Sequence, residues 1–396
     1  MEHQASLPTV LREWGRIGCI GFGGPPAHIA LLRQLCVERR QWLDAQEFED
    51  AIAACNLLPG PASTELAIFC AWRVRGRPGA LVGGLAFIVP GLICILALSA
   101  LFLEGTPPWW VEAAGAGAGS AVAAVAVQAG WSLLVPSWKR ARTNGRGRRF
   151  RWAAYLLAGG AASATIGPWL VLVLLGSGIV ELVVTRAPGG APLVGADGAG
   201  EKARSIVALP VLAGAAAGSG VLGAVAWVAF KVGALSFGGG FVIIPLMRAD
   251  AVGRGWMTSA QFLNAVALGQ ITPGPVVQTI SAVGYAAAGL GGGLLAALVA
   301  FSPSFAFILG GARYFSSLRT SRRAQAFLDG SGPAAIGAIL GSAVLLAGAL
   351  SEAWQYAVLA GAAVLLLPLR RGVVFTLLAA AAAGLLIGLA GGPLPH

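Results

Sequence analysis

Two glycine-rich runs and two Pro-Gly-Pro triplets carry most of the chemistry this sequence can offer. Gly-Phe-Gly-Gly-Pro-Pro occupies 21–26 and Ser-Phe-Gly-Gly-Gly occupies 236–240. Pro59-Gly60-Pro61 follows 36 residues after Gly23, and Pro273-Gly274-Pro275 follows 35 residues after Gly238. All four interrupt apolar segments. Proline removes a backbone donor and clashes with the preceding turn, and glycine allows positive φ and close backbone approach. A helix broken at membrane depth leaves N–H and C=O groups unpaired, which is tolerated only against protein or a wet cavity. The start of such a helix offers free N–H groups and a partial positive charge, and so can hold an anion. One such run would read as a close helix crossing; two copies in the same order make Gly23, Gly24, Gly238, Gly239 and the two triplets candidate substrate contacts. Asn56, Ser63, Thr64, Ser236, Gln270, Thr272, Gln278 and Thr279 flank these breaks with groups able to hydrogen-bond a desolvated oxyanion.

Ionisable groups inside apolar segments are the second source of chemistry, because charge there is costly and usually functional. Glu65 stands one turn beyond Pro61, where it can accept a coupling proton, balance Arg16 or Lys231, or merely complement a helix start. Lys231 is the only lysine within an apolar stretch, a candidate counter-charge for an anion that can also snorkel to the interface. Arg33 and Arg248 follow the two glycine runs at equivalent places and can draw an oxyanion to the mouth of each half or anchor a helix end. His28 has no repeat counterpart and reads as a satisfied core histidine.

The elements that position these residues come in duplicate. Residues 16–33 and 231–248 align at an offset of 215 with seven identities in eighteen, Arg16 facing Lys231. Residues 48–61 and 262–275 align at an offset of 214 with six identities in fourteen, placing Asn56 on Gln270 and Glu65 opposite Thr279. The expected organisation is an N-terminal repeat over 1–184, a connector over 185–205 and a C-terminal repeat over 206–396. Arg73, Arg75 and Arg77 precede the first long apolar span, whereas Arg313, Arg319, Arg322 and Arg323 follow the second. By the positive-inside rule the two spans run in opposite directions, giving an inverted repeat with its site expected where the halves meet.

Composition fixes the class. The 396 residues are 57% hydrophobic and 11% charged, against about 25% charged in a soluble domain. Stretches at 80–103, 113–135, 168–185, 333–350 and 373–391 are nearly free of charge and close to the roughly 20 residues a span requires. The expectation is an all-α polytopic membrane protein of 10–13 segments with broken helices. The net charge of +11 collects in short loops, as in cytoplasmic loops, and no basic stripe interleaved with aromatics points to nucleic acid. The five cysteines lack metal or redox spacing and the three histidines are too few for haem or di-iron, so no metal and no cofactor is expected. Met1–Arg16 lacks the apolar core of a cleavable signal peptide.

In its ordered motifs the sequence resembles the chromate ion transporter family in its long two-domain form. The resemblance rests on GFGGPPAHIALL (21–32), NLLPGP (56–61), RGRPGALVGGLAFIVPG (75–91), SFGGGFVIIPLM (236–247) and GQITPGP (269–275). It implies an inner-membrane carrier that exports chromate and confers chromate resistance, with homologous halves of opposite topology and sulfate as a competitor. The partners implied are chromate, sulfate and the lipid bilayer; a homodimer is an option that the resemblance does not decide. The second run carries Gly240 and Phe241 where the first carries Pro25 and Pro26, so the half-sites are expected to be inequivalent. No Walker A run is present, which argues against direct use of ATP. The alternatives are an exporter or exchanger of sulfate or another oxyanion, a cation/proton antiporter built round Glu65, and an intramembrane lipid-acting enzyme. Five aspartates, three histidines and no paired acidic motif on a span weigh against the enzyme.

Overall fold

A computed structural model describes residues 5–56, 60–103, 107–142, 146–165, 170–185, 220–236, 243–311 and 321–395. The connector expected at 185–205 lies outside the described residues, apart from Thr185 at the end of a helix.

The described residues form fourteen α-helices and no strand. The first seven are α1 (Leu7–Ile20), α2 (Pro25–Arg33), α3 (Ala45–Cys55), α4 (Ala62–Leu103), α5 (Trp109–Arg142), α6 (Arg146–Thr165) and α7 (Leu170–Thr185). A π turn, Gln34–Arg39, extends α2. The second seven are α8 (Val221–Ala234), α9 (Ile243–Gly253), α10 (Ser259–Ile271), α11 (Thr279–Gly311), α12 (Arg322–Ala347), α13 (Ala353–Leu366) and α14 (Val373–Leu389). A 3₁₀ turn, Val276–Gln278, leads into α11.

Local chemistry sets the helix starts. Ser6 and Asp44 accept the N–H groups of Thr9 and Glu47 at the heads of α1 and α3, and Thr258 with Gln261 closes a reciprocal capping box at α10. α4, α5, α12 and the Val276–Gly311 stretch are long and apolar enough to cross a membrane, while α7, α8, α13 and α14 are shorter apolar helices. Large side chains such as Ile93 (64% exposed) and Leu298 (72%) point outward, as a lipid-facing surface requires. The protein is an all-α polytopic membrane protein.

The two halves repeat one another in backbone detail. α4 breaks at Arg75 (φ −145°, ψ 25°) and Gly76 (φ 61°, ψ −153°); α11 breaks at Ala288 (φ −152°, ψ 33°) and Gly289 (φ 61°, ψ −156°). Pro90 and Pro303 stand at the same distance beyond these breaks. α1 packs on α4 as α8 packs on α11, while α5 receives α13 and α14 as α12 receives α6 and α7. A side chain at Gly18 would collide with the carbonyls of Ala86 and Phe87, and one at Gly233 with that of Ala300. Only glycine lets these helices touch backbone to backbone.

Candidate functional site

The first glycine break and the second Pro-Gly-Pro turn meet. Gly23 and Gly24 have φ of 97° and 74°, and Gly274 has φ of 88°, left-handed values that favour glycine. The Gly274 N–H donates to the Gly21 carbonyl at 2.9 Å, so two segments 253 positions apart in the chain touch at their breaks. A side chain at Gly24 would reach Val276. Pro25 and Pro26 open α2, and Ala27 and His28 both donate to the Gly24 carbonyl. The first turn of α2 is therefore not the row of free N–H groups expected of a broken helix. The prolines remove two donors and Gly24 takes up the next two, so any anion contact at this break falls to the glycines themselves.

His28 belongs to this junction. It is fully buried, its Nε2 lies 2.9 Å from the Gly21 carbonyl and its Nδ1 lies 3.2 Å from Ser63 Oγ. A carbonyl only accepts, so Nε2 carries a proton and donates; Ser63 then donates to a neutral ring at Nδ1. The Phe87 ring meets the imidazole edge-on at 5.0 Å. Reading His28 as a satisfied core histidine is right about its hydrogen bonds. It misses that those bonds tie the first glycine break to the helix opened by the first triplet. Helical spacing offers no signal for this tie, because residues 21–24, which lead into α2, are not helical.

Around both triplets lie buried polar atoms that make no hydrogen bond among the described residues: Thr64 Oγ1, both Glu65 oxygens, Ser236 Oγ, Gln270 Nε2, Gln278 Oε1 and Ser304 Oγ. Buried polar atoms are nearly always satisfied; Ser99, Ser163, Ser281 and Ser331 hold further unpartnered hydroxyls elsewhere among the described residues. Glu65 is fully buried against Gly60, and Ser304 of α11 faces the same glycine. Gln278 is equally buried beside Gly274 and donates from Nε2 to the Ile88 carbonyl in α4 at 2.7 Å. A side chain at Gly91 would collide with Gln278 and the Pro273 carbonyl.

These neighbourhoods correct the repeat register. Gly60 with Glu65 and Ser304 matches Gly274 with Gln278 and Gly91, and Ser304 lies 213 positions after Gly91. The breaks at Gly76 and Gly289 lie the same distance apart. The counterpart of Glu65 is Gln278, not Thr279. The Val276–Gln278 stretch winds as a 3₁₀ turn, which advances further per residue than an α turn and takes up the missing position. Thr279 instead donates to the Val276 carbonyl at 2.8 Å.

The other charged candidates separate from the turns. Lys231 Nζ lies 2.5 Å from Asp250 Oδ2, and Asp250 also accepts from Arg254 at 3.2 Å. As α9 crosses α8 it brings this carboxylate onto the lysine, so Lys231 is an internal ion-pair partner and not a free counter-charge. Arg16 is exposed on α1, near the Glu13 carboxylate that accepts from Arg39 and Arg40. Neither Arg16 nor Lys231 balances Glu65. Arg33 pairs with Glu49 at an exposed position. Arg248 is half-buried, reaching Ser259 Oγ at 3.4 Å while its Nε stays buried without a partner among the described residues. Asn56 is exposed, whereas Gly60, Pro61, Gln270, Thr272, Pro273 and Pro275 are buried. Pro59, Gly238 and Gly239 lie outside the described residues. No group of three metal-ligating side chains occurs among the described residues.

Fold and site together define a polytopic helical membrane protein built round paired helix breaks with orphaned polar groups between them. A family model described as "Chromate transporter" matches residues 9–182 and again 223–385, and the chain belongs to this family. It is 30% identical to a chromate transport protein of Pseudomonas aeruginosa over 351 residues, 88% of this chain and 82% of that one. A chromate transport protein of Cupriavidus metallidurans is 31% identical over 353 residues, covering 86% and 83% of the two chains. A probable chromate transport protein of Synechococcus elongatus is 30% identical over 346 residues, covering 86% and 84%. No solved structure matches.

Proposed function

We propose that this protein is a secondary carrier that exports chromate across the cytoplasmic membrane and thereby confers chromate resistance. The observation that carries the reading is the hydrogen-bonded junction of Gly21 with Gly274, flanked by the buried, unpartnered groups of both triplets. A tetrahedral dianion needs several converging donors and no fixed cation of its own to leave again. Backbone N–H groups of Gly23 and Gly24, with the hydroxyls of Thr64 and Ser236 and the amide of Gln270, are the donors we assign to that need, while the Gly274 N–H, donated to Gly21, holds the two breaks together. The two repeats lie in the membrane with opposite topology, a reading supported by Arg73, Arg75 and Arg77 at the start of one span and Arg322 and Arg323 beyond the end of its counterpart. A negative interior drives a dianion outward by about 2.3 kcal/mol per charge per 100 mV, so no nucleotide is required. Sulfate, similar in shape and charge, competes.

The test is chromate uptake by everted membrane vesicles, with and without an imposed potential and with sulfate as competitor. Potential-stimulated, sulfate-sensitive uptake that vanishes in a membrane-inserted Gly274→Val variant supports the reading. Uptake of sulfate with none of chromate would move the assignment to another oxyanion, and no uptake of either would remove it.

A further inference from the structure

We propose that Glu65 is a proton-binding site of the carrier and that each oxyanion travels together with one proton carried there. The inference rests on the transport reading above and adds what moves with the substrate.

The case begins with the pseudo-symmetry of the two turns. At the second turn Gln278 reaches across the junction and donates its amide to the Ile88 carbonyl of α4. The residue 213 positions after Ile88 is Phe301 of α11, two residues before Pro303, which lies within the helix, and three before Ser304, which faces the Gly60–Glu65 corner. The Ser304 hydroxyl is the group seen at this corner, and the pseudo-symmetry makes the Phe301 carbonyl the acceptor expected opposite position 65. A glutamine can donate to a carbonyl; an ionised carboxylate cannot, and only a protonated one matches the pattern of its twin.

The surroundings agree. Glu65 is fully buried, and neither oxygen finds a partner among the described residues. α3 carries the buried thiol of Cys55, while Glu47 pairs with Arg73 and Glu49 with Arg33. From α2 come His28, held by Gly21 and Ser63, and Arg33. From α1, Glu13 is tied to Arg39 and Arg40, while Arg12 and Arg16 are exposed. Within α10 and α11 there is no Asp, Glu, Lys, Arg or His. Among the described residues no cation pairs with Glu65, and an unpaired buried charge persists only at high cost.

Coupling to substrate follows from the corner Glu65 shares with the first triplet. A carboxylate there would repel a dianion seated at the turns, whereas a carboxylic acid would not and can donate to it. Protonation therefore raises oxyanion affinity and, by reciprocity, oxyanion binding raises proton affinity. The unit that crosses carries one proton and one dianion, with net charge of one negative. The sign with pH is fixed: binding is strong where Glu65 is protonated and weakens about tenfold per pH unit above its titration, one proton per site.

The experiment uses the full-length protein in liposomes containing a pH-sensitive dye, with an imposed chromate gradient at pH 8 on both sides. Chromate and proton movement are measured together. Wild-type protein is expected to move one proton per chromate in the same direction, Glu65→Asp to keep this coupling, and Glu65→Gln to move chromate with no protons. Chromate movement without protons in the wild type, or with protons in the opposite direction, overturns the inference while leaving transport intact. So does an unchanged proton count in Glu65→Gln. Absence of chromate movement by the wild type would overturn the transport reading and this inference with it. The wild-type stoichiometry decides the matter even where the glutamine variant fails to insert.

Discussion

The two halves wind the same backbone round the same breaks, yet they dress it differently. At the first turn a buried acid, Glu65, sits without a partner among the described residues, and the charge on the surrounding helices is paired: Arg33 with Glu49, Arg73 with Glu47, and the buried Glu13 with Arg39 and Arg40. At the second turn an amide, Gln278, is fastened to the opposite half and Gln270 is 6% exposed, while Asp250 is held by Lys231 and Arg254 much as Glu13 is held in the first half. α10 is sealed against α5, with Asn264 over Gly115 and Gly119, while its counterpart α3 makes no comparable packing on α12. Duplication supplies the scaffold and divergence divides the labour. One turn is a fixed clamp, and the other keeps an unclamped titratable group beside a more open surface.

Removing the buried charge of the second half should have the largest effect. Lys231→Met leaves Asp250 with only the half-exposed Arg254, and breaking a buried pair costs about 3–5 kcal/mol. A marked fall in the thermal unfolding midpoint in detergent is expected, with partial recovery when Asp250→Asn is added. Gly274→Val comes next. Strain from a β-branched residue at φ 88° costs about 1–3 kcal/mol, so chromate uptake should fall roughly 10- to 100-fold in vesicles with normal insertion.

Gln278→Leu should cost about 1–3 kcal/mol of stability, because the Ile88 carbonyl loses its donor. Glu65→Gln, which breaks no hydrogen bond present, should leave the unfolding midpoint nearly unchanged. Equal losses in these two variants would erase the distinction between clamp and free acid. The smallest effect belongs to Arg33→Gln. Its exposed pair with Glu49 should contribute under about 1 kcal/mol, and any loss of uptake should be confined to low salt.

Much of this was legible in the sequence. Proline and glycine act through the local chain, so the four breaks, the duplication and the all-α membrane class follow from residue types and their order. Features made by helices crossing were not legible. The ion pair of Lys231 joins residues 19 apart on two helices, and the tie between Gly21 and Gly274 spans the halves. The register also drifts from an offset of 215 at the glycine runs to 214 at the triplets and 213 beyond them. Carrying 214 forward pairs Glu65 with Thr279 and hides its likeness to Gln278. The Pro25-Pro26 pair was visible, but its consequence, removal of the donors that open α2, depends on where the helix begins.

The most direct test of the junction as the oxyanion site is a structure with chromate bound, the ion placed by anomalous scattering from chromium. The predicted result is one peak within hydrogen-bonding distance of the backbone N–H groups at 23–24, beside the Gly21–Gly274 junction. Peaks confined to the surface arginines, such as Arg33 or Arg73, with none between the two turns, would contradict it.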